Sequence, residues 1–87
     1  MYKWDAAKNA LLAAQRNVSF EELVEGITNG GLVALEKHQK RPNQWVYVVL
    51  HDGDYWIVPF VFEENGGIFL KTAYRSRKAR SLHKKES

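Results

Sequence analysis

Basic side chains are concentrated at the C-terminal end of this 87-residue chain, where they could bind or stabilise a phosphate group. From residue 71 onward, seven positive residues are opposed by one acidic residue, Glu86, which gives a formal charge of +6. The seven are Lys71, Arg75, Arg77, Lys78, Arg80, Lys84 and Lys85. The preceding residues sum to −3, so the charge is strongly polarised along the chain. Such polarity favours a polyanion or an acidic protein as partner, although a solvated chain end would have the same composition.

The alternation of a β-strand would gather several of these cations on one face. We predict a strand over residues 68–74, because its apolar positions follow a turn at Asn65-Gly66-Gly67. The residues that would share one face are Lys71, Ala73 and Arg75, and Arg77 would join them if the strand continued. An arginine guanidinium can donate two hydrogen bonds to the oxygens of one phosphate, and the adjacent Tyr74 ring could stack on an exposed base.

Such a cluster could assist cleavage of RNA by its own 2′-hydroxyl group. This reaction needs stabilisation of a dianionic phosphorane and a group that transfers a proton. Clustered cations supply the first, and a cation crowded by others has a lowered proton affinity that suits the second. The catalytic candidates are Lys71, Arg75, Arg77, Tyr74 and His38, and the nucleic-acid-binding candidates are Lys78, Arg80, Lys40 and Arg41. Without further information, the residues favour binding of phosphate or of an acidic protein over catalysis.

Several other chemistries are not indicated. The three histidines, His38, His51 and His83, lack metal-ligand spacing with a nearby acid, so neither a metal site nor another cofactor is predicted. The Gly30-Gly31 and Gly66-Gly67 pairs do not match a nucleotide-binding loop. There is no cysteine, and no serine lies in a nucleophile elbow.

Length and composition predict one cytoplasmic domain over residues 1–87. A hydrophobic fraction of 45% is ample for a packed core. The N-terminus has no apolar signal region and no apolar run reaches bilayer length, so no membrane association is predicted. Residues 75–87 form a basic C-terminal segment, in which Ser76 can cap a short third helix. That helix would carry Arg77, Arg80 and Lys84 on one face. The alternative is that the segment forms a flexible tail.

Two helices are predicted in the first third of the chain. Asp5 can cap the first helix, whose apolar stripe at helical spacing is Ala7, Ala10, Leu11 and Ala14. Ser19 and Glu22 form a capping box that begins the second helix. The buried stripe of that helix is Phe20, Leu23, Val24 and Ile27. Residues 29–31 (Asn-Gly-Gly) end it, because glycine tolerates the left-handed conformation.

After residue 31, the spacing of the apolar residues no longer follows a helix and indicates strands instead. A short strand over Leu32–Leu35 precedes Trp45–Leu50, whose continuous apolar run predicts a strand covered on both faces. Asp52-Gly53 predicts a hairpin turn into Tyr55–Phe62, where Pro59 indicates an edge or a bulge. The predicted fold class is therefore α+β, with both helices on one face of an antiparallel β-meander of three long strands and a shorter one.

Three segments carry motifs of a known family. Tyr2–Asp5 followed by Lys8-Asn9 is similar to an opening (F/Y)-x-W-D-x-x-K-x-x-x-N region. Val18–Glu22 resembles an (I/V)-S-F-E-E-A helix start, and Ser76–Ala79 resembles an S-A-R-K-A segment that closes a sheet. These motifs, and an order of elements that agrees over most of the chain, resemble the BrnT family of bacterial type II toxin–antitoxin ribonucleases.

The resemblance implies a compact RelE-like fold and metal-independent RNA cleavage that arrests translation. It also implies neutralisation by a small antitoxin of the ribbon-helix-helix type, with DNA bound only through the antitoxin complex. Arg77 and Lys78 match the arginine and lysine of the family's motif, and Lys71 occupies the place of a basic residue in the last strand. Trp4, Asp5 and Lys8 match the opening motif, in a structural or a functional role. Residues 15–17 (Gln-Arg-Asn) replace the family's Lys-His-Gly, so a non-catalytic binding module is the alternative function.

Overall fold

A computed structural model describes residues 1–83 and arranges them as a six-stranded sheet with helices on both faces. The strands are β1 (Tyr2–Trp4), β2 (Leu32–Lys37), β3 (Trp45–His51), β4 (Asp54–Phe62), β5 (Ile68–Leu70) and β6 (Tyr74–Arg75). The helices are α1 (Ala6–Arg16), α2 (Phe20–Gly26) and α3 (Arg77–His83), and a π-helical turn over Ile27–Gly31 extends α2. This combination agrees with the predicted α+β class. Within residues 1–83, no helix is long and apolar enough to cross a membrane.

The caps predicted for α1 and α2 are confirmed. The Ala7 amide donates to Asp5 Oδ1 over 3.1 Å at the start of α1. At α2, the Glu22 amide donates to Ser19 Oγ and the Ser19 amide donates to Glu22 Oε1, each over 3.1 Å, which completes the capping box. Gly30 has a φ of 92°, as expected for a glycine that ends a helical segment. The sequence thus sets the beginning of α2 through local hydrogen bonds and the end of its π-helical extension through a glycine.

The predicted apolar stripe of α1 is wrong. Its members, Ala7, Ala10, Leu11 and Ala14, are all exposed, and Leu12 is the buried residue of this helix. Lys8, Asn9 and Arg16 lie half-buried on the same side as Leu12. Three alanines bury little apolar area, whereas Asn9 and Arg16 make long-range hydrogen bonds that fix the orientation of the helix.

The strand order in the sheet is β1-β5-β4-β3-β2, and β6 also pairs with β4. Strands β2 to β5 form the predicted antiparallel meander, and α1 and α2 share one face as predicted. The N-terminal strand β1 adds to β5 in parallel, with Tyr2 opposite Ile68. The sheet is therefore mixed, since β1 joins it from the other end of the chain.

The single long strand predicted over residues 68–74 is wrong, because the chain breaks into β5 and β6. Leu70 pairs with Phe60, but Tyr74 pairs with Ile57, so the register slips by one residue between them. Pro59 lies opposite this break and has no amide hydrogen to continue the ladder. The Lys71 amide still donates to the Pro59 carbonyl over 2.8 Å. The irregularity predicted at Pro59, as an edge or a bulge, is thus present as a register slip, and its extra residue lies in the opposite segment between β5 and β6, where it disrupts the alternation.

Strand β3 is covered on both faces, as its continuous apolar run predicts. Tyr47 and Val49 belong to the larger core, which α1 and α2 cover and which defines the first face of the sheet. Val46 and Val48 pack with Ala79 of α3 in a smaller core on the second face. Helix α3 is therefore anchored on the side opposite to the other two helices, and this placement positions the basic C-terminal side chains.

Candidate nucleic-acid interface

Helix α3 carries most of the candidate residues and separates two concave surfaces. The Ala79 amide donates to Ser76 Oγ over 3.0 Å, which confirms the predicted cap, and Ala79 is buried against the second face of the sheet. On one side of the helix lies a cleft, here called the arginine cleft, lined by Asp54, Tyr55, Arg75, Ser76, Arg77, Arg80 and Ser81. On the other side lies the lysine groove, whose basic members are Lys37, His38, Lys40, Lys78 and His83.

The arginine cleft has a volume of about 670 Å³ and three guanidinium groups in its lining. Arg77 and Arg80 are three residues apart on α3, so they project from one side of the helix, as predicted. Lys84, predicted on the same face, lies outside the described residues. Asp54 is the one carboxylate in this lining, so the described part of the cleft carries a net positive charge.

Arg75 is held in place by three neighbouring groups. Its Nε atom lies 3.1 Å from Asp54 Oδ2, and its guanidinium carbon lies 4.9 Å from the centroid of the Trp56 ring. A terminal nitrogen also donates to the Arg16 carbonyl over 3.4 Å. Arg16 in turn donates to the Ala73 carbonyl over 2.6 Å, which ties the end of α1 to the bulge. Arg75 is therefore fixed at the wall of the cleft.

The other two arginines are less constrained. Arg80 makes a long contact of 3.5 Å with the Gly53 carbonyl, and Arg77 is exposed without a hydrogen bond or ion pair to another described residue. An exposed guanidinium keeps its five donors available to an incoming anion. Arg77 is thus the arginine best placed to bind a phosphate directly.

The sequence-predicted residues do not form one cluster. The structure places His38, Lys40, Tyr74 and Lys78 in the lysine groove, on the other side of α3 from the arginine cleft. His38 has a structural role there, because its Nδ1 accepts hydrogen bonds from the Lys40 and Arg41 amides over 3.1 and 3.2 Å. Arg41 itself is exposed and lines neither concave surface.

The prediction that Lys71 and Arg75 share a face is also wrong. Arg75 lies opposite Trp56 on the first face, whereas Lys71 lies at Pro59, whose neighbours in the sheet belong to the second face. The Lys71 amino group sits 5.5 Å from the centroid of the Phe69 ring. Ala73, expected beside them on the surface, is fully buried. The extra residue of the bulge causes this separation, because it changes which side chains point to each face.

Sequence reasoning missed Asp54 and Tyr55 in the arginine cleft. Both directly follow the Asp52-Gly53 turn, so their position at the start of a strand is visible in the sequence. Their proximity to Arg75 depends on the register of β6 against β4, which the bulge shifts by one residue. The hairpin turn therefore indicated where Asp54 and Tyr55 lie in the strand, but it could not indicate that Arg75 would be their neighbour.

The opening motif has a structural role in this fold. The Trp4 ring stacks on Phe20, with centroids 5.6 Å apart, and Asp5 caps α1. Asn9 accepts a hydrogen bond from the Phe20 amide over 2.7 Å and donates to Glu21 Oε1 over 2.6 Å. The hydrogen bond from Asn9 lowers the pKa of Glu21 below its ordinary value. These contacts hold α1 against the start of α2, away from the basic surfaces.

The sequence matches no protein-family model and shows no significant similarity to a curated protein. Function therefore has to be inferred from the motifs and from the geometry of the arginine cleft and the lysine groove. Of these two surfaces, the arginine cleft has the chemistry that suits a phosphate.

Proposed function

We propose that this protein is the toxin of a bacterial type II toxin–antitoxin pair and that it cleaves RNA in the arginine cleft without a metal ion. The observation that carries the proposal is the presence of Arg75, Arg77 and Arg80 in the lining of one cleft. Guanidinium groups around a concave surface suit a phosphodiester, which gains negative charge in the transition state. The resemblance to BrnT toxins supports the same function, because Arg77 matches the arginine of the family's motif.

The proposed reaction is attack of the RNA 2′-oxygen on the adjacent phosphorus atom. This step breaks the bond to the 5′-oxygen and leaves a 2′,3′-cyclic phosphate on one product and a 5′-hydroxyl on the other. Arg77 and Arg80 stabilise the two negative charges of the phosphorane. In this proposal Asp54 accepts the proton of the 2′-hydroxyl and the Tyr55 hydroxyl protonates the leaving oxygen, because both residues line the cleft. Arg75 orients Asp54 through their 3.1 Å contact.

The proposal includes a small antitoxin, of the ribbon-helix-helix type, that neutralises the protein in the cytoplasm and binds DNA for the complex. We expect a gene for such a protein beside the gene for this chain. Co-expression of that neighbour should restore growth of cells arrested by this protein. Unrelieved arrest would contradict the partner assignment and leave the ribonuclease assignment to its own test.

The ribonuclease proposal is tested by incubating the purified protein with single-stranded RNA in excess chelator. We expect cyclic-phosphate products from the wild type and a loss of roughly 100-fold or more in rate for Arg77→Ala, the typical cost of removing one donor to a developing oxyanion. Lys78→Ala is the matched control, since it removes a cation from the next residue of α3 outside the cleft. Lys71→Ala is a second control. Undiminished cleavage by a folded Arg77→Ala variant would refute the site.

A second candidate function is phosphate binding without cleavage. It is favoured by the arrangement of Arg75, which is already engaged by Asp54, and by the location of His38 outside the arginine cleft. It predicts tight RNA binding with no product and a strong dependence on salt. Neutralising about three phosphates of a single strand gives a slope of about −2 in log K against log salt concentration. Asp54→Asn separates the two functions, because it abolishes cleavage while preserving RNA binding only if the wild type is an enzyme.

A further inference from the structure

The lysine groove has a character different from that of the arginine cleft. It has a volume of about 620 Å³ and lies between α3 and strand β2, above the second face of β3. Its floor is apolar, and the apolar members of its lining are Val46, Val48, Ile57, Ala79 and Leu82. Leu82 is 69% exposed, so a large aliphatic side chain borders the groove with little cover from the described residues.

The apolar lining is accessible only in part, because Val46, Val48 and Ala79 are buried, whereas Ile57 is half-buried and Leu82 is exposed. Ala79 is the buried residue of this seven-residue helix, and it packs against Val46 and Val48. Ala34 on β2 and Ile57 on β4 flank that small core and are half-buried, although both point to the face that α3 covers. An added apolar segment on this face would therefore extend the smaller core.

The rim of the groove is positively charged. Lys40 and Lys78 line it, and His38 and His83 lie between them. Lys37 borders the groove, but its amino group lies 5.9 Å from the centroid of the Trp45 ring, on the first face of the sheet. Glu36 is the one carboxylate among the described lining residues, and its Oε2 atom already lies 3.9 Å from His83 Nε2. Two lysines against one carboxylate leave the described rim with a net positive charge.

We propose that the lysine groove binds an acidic amphipathic segment of a partner protein. Apolar side chains of the segment pack on Ile57 and Leu82, and flanking carboxylates pair with the lysines of the rim. A peptide fits this surface better than RNA, because the floor is largely aliphatic and Tyr74 is the aromatic residue among the described lining. The inference depends on the groove alone and holds whether or not the arginine cleft cleaves RNA.

The test uses the full chain and a labelled helical peptide with leucines at positions i, i+3, i+4 and i+7 and glutamates on both flanks of this stripe. We expect binding that Leu82→Asp weakens roughly tenfold or more, because one leucine contact is replaced by a charge. Lys78→Glu should weaken binding by a comparable factor, since it reverses a charge at the rim. Both side chains are exposed, so neither substitution should unfold the protein.

Arg77→Glu is the matched control, since it makes the same kind of charge reversal on the opposite side of α3. We expect it to change peptide affinity less than about twofold, because surface charges beyond the groove are screened at physiological salt. Equal weakening by Arg77→Glu and Lys78→Glu would overturn the proposal. So would equal binding of a peptide with lysines in place of the glutamates, or of one with serines in place of the leucines.

Two further outcomes would also overturn the proposal. One is an absence of peptide binding together with single-stranded RNA binding that Lys78→Glu weakens as much as Arg77→Glu does. The other is self-association of the chain that Leu82→Asp abolishes, measured by sedimentation, which would assign the groove to a second copy. Cleavage by the arginine cleft is measured independently with Arg77→Ala, so failure of either proposal leaves the other testable.

Discussion

Arg75 and Arg77 both line the arginine cleft, yet the structure predicts a loss of stability when Arg75 is replaced by alanine and almost no change when Arg77 is replaced. Arg75 pairs with Asp54, packs over Trp56 and donates to the Arg16 carbonyl. Arg77 has no such contacts with the described residues. Comparing the two substitutions therefore separates an arginine that holds the cleft together from one that remains available to a ligand.

The magnitude follows from the exposure and geometry of each contact of Arg75. The side chains of Arg75 and Asp54 are 54% and 44% exposed, so solvent screens their ion pair and it contributes about 0.2–1 kcal/mol. The cation–π contact with Trp56 contributes about 0.5–1 kcal/mol at such a site. The hydrogen bond to Arg16 is long and adds little. Arg75→Ala should therefore lower the free energy of unfolding by about 1–2 kcal/mol.

The assay is thermal unfolding of both variants followed by circular dichroism. For a domain of this size, the Arg75→Ala loss corresponds to a fall in Tm of roughly 5–15 °C. Arg77→Ala should leave Tm within about 2 °C of the wild type, because alanine is the better helix former and no contact is lost. A double-mutant cycle with Asp54→Ala should give a coupling of about 0.5 kcal/mol for the ion pair. An unchanged Tm for Arg75→Ala, or an equal fall for Arg77→Ala, would refute the assigned roles.

Three further substitutions test how the supporting structure is held. Asn9→Ala should lower the free energy of unfolding by about 1–2 kcal/mol, because the Phe20 amide at the start of α2 loses its hydrogen-bond acceptor. In the same variant, NMR titration should show the pKa of Glu21 rising toward its ordinary value. The lowered pKa of Glu21 gives stability that is lost as pH falls through it. Because Asn9 is the largest of several groups that lower this pKa, the variant should show a weaker acid dependence. Gly31→Ala should lower the free energy of unfolding, measured by chemical denaturation, by roughly 1–3 kcal/mol, because a Cβ there would lie 2.6 Å from the Leu50 carbonyl oxygen. Gly26→Ala is the control, because a Cβ at that position makes only ordinary van der Waals contacts. Ser76→Ala should cost about 1 kcal/mol through loss of the α3 cap, and unchanged stability would contradict the capping geometry.

Local signals in the sequence were sufficient for most elements of the fold. The capping box at Ser19, the covered strand β3 and the turn before β4 each depend on residues close together in the chain, and each is confirmed. The orientation of α1 was not predictable in this way. It depends on the hydrogen bond that Asn9 accepts from the Phe20 amide and on the one that Arg16 donates to the Ala73 carbonyl, which a search for apolar periodicity does not detect.

The candidate site was only partly predictable, because one bulge decides which cations meet. Period-two alternation placed Lys71 with Arg75, but the register slip opposite Pro59 separates them onto different faces. The sequence did indicate a bulge at Pro59, yet it did not indicate which strand would absorb the extra residue. The same shift brings Asp54 to Arg75, so it both removes an expected member of the site and supplies an unexpected one.

The geometry of α3 explains how one basic run can serve two surfaces. Arg77 and Arg80 are three residues apart and face the arginine cleft, while Lys78 and Leu82 are four residues apart and face the lysine groove. Ala79 lies between these two rows and attaches the helix to the sheet. Because residues of the two rows alternate along the chain, the net charge of the segment does not show that its basic side chains lie on two separate surfaces. The arginine row borders a cleft with polar neighbours and the lysine row borders an apolar floor, so we expect substitutions in the two rows to affect different ligands.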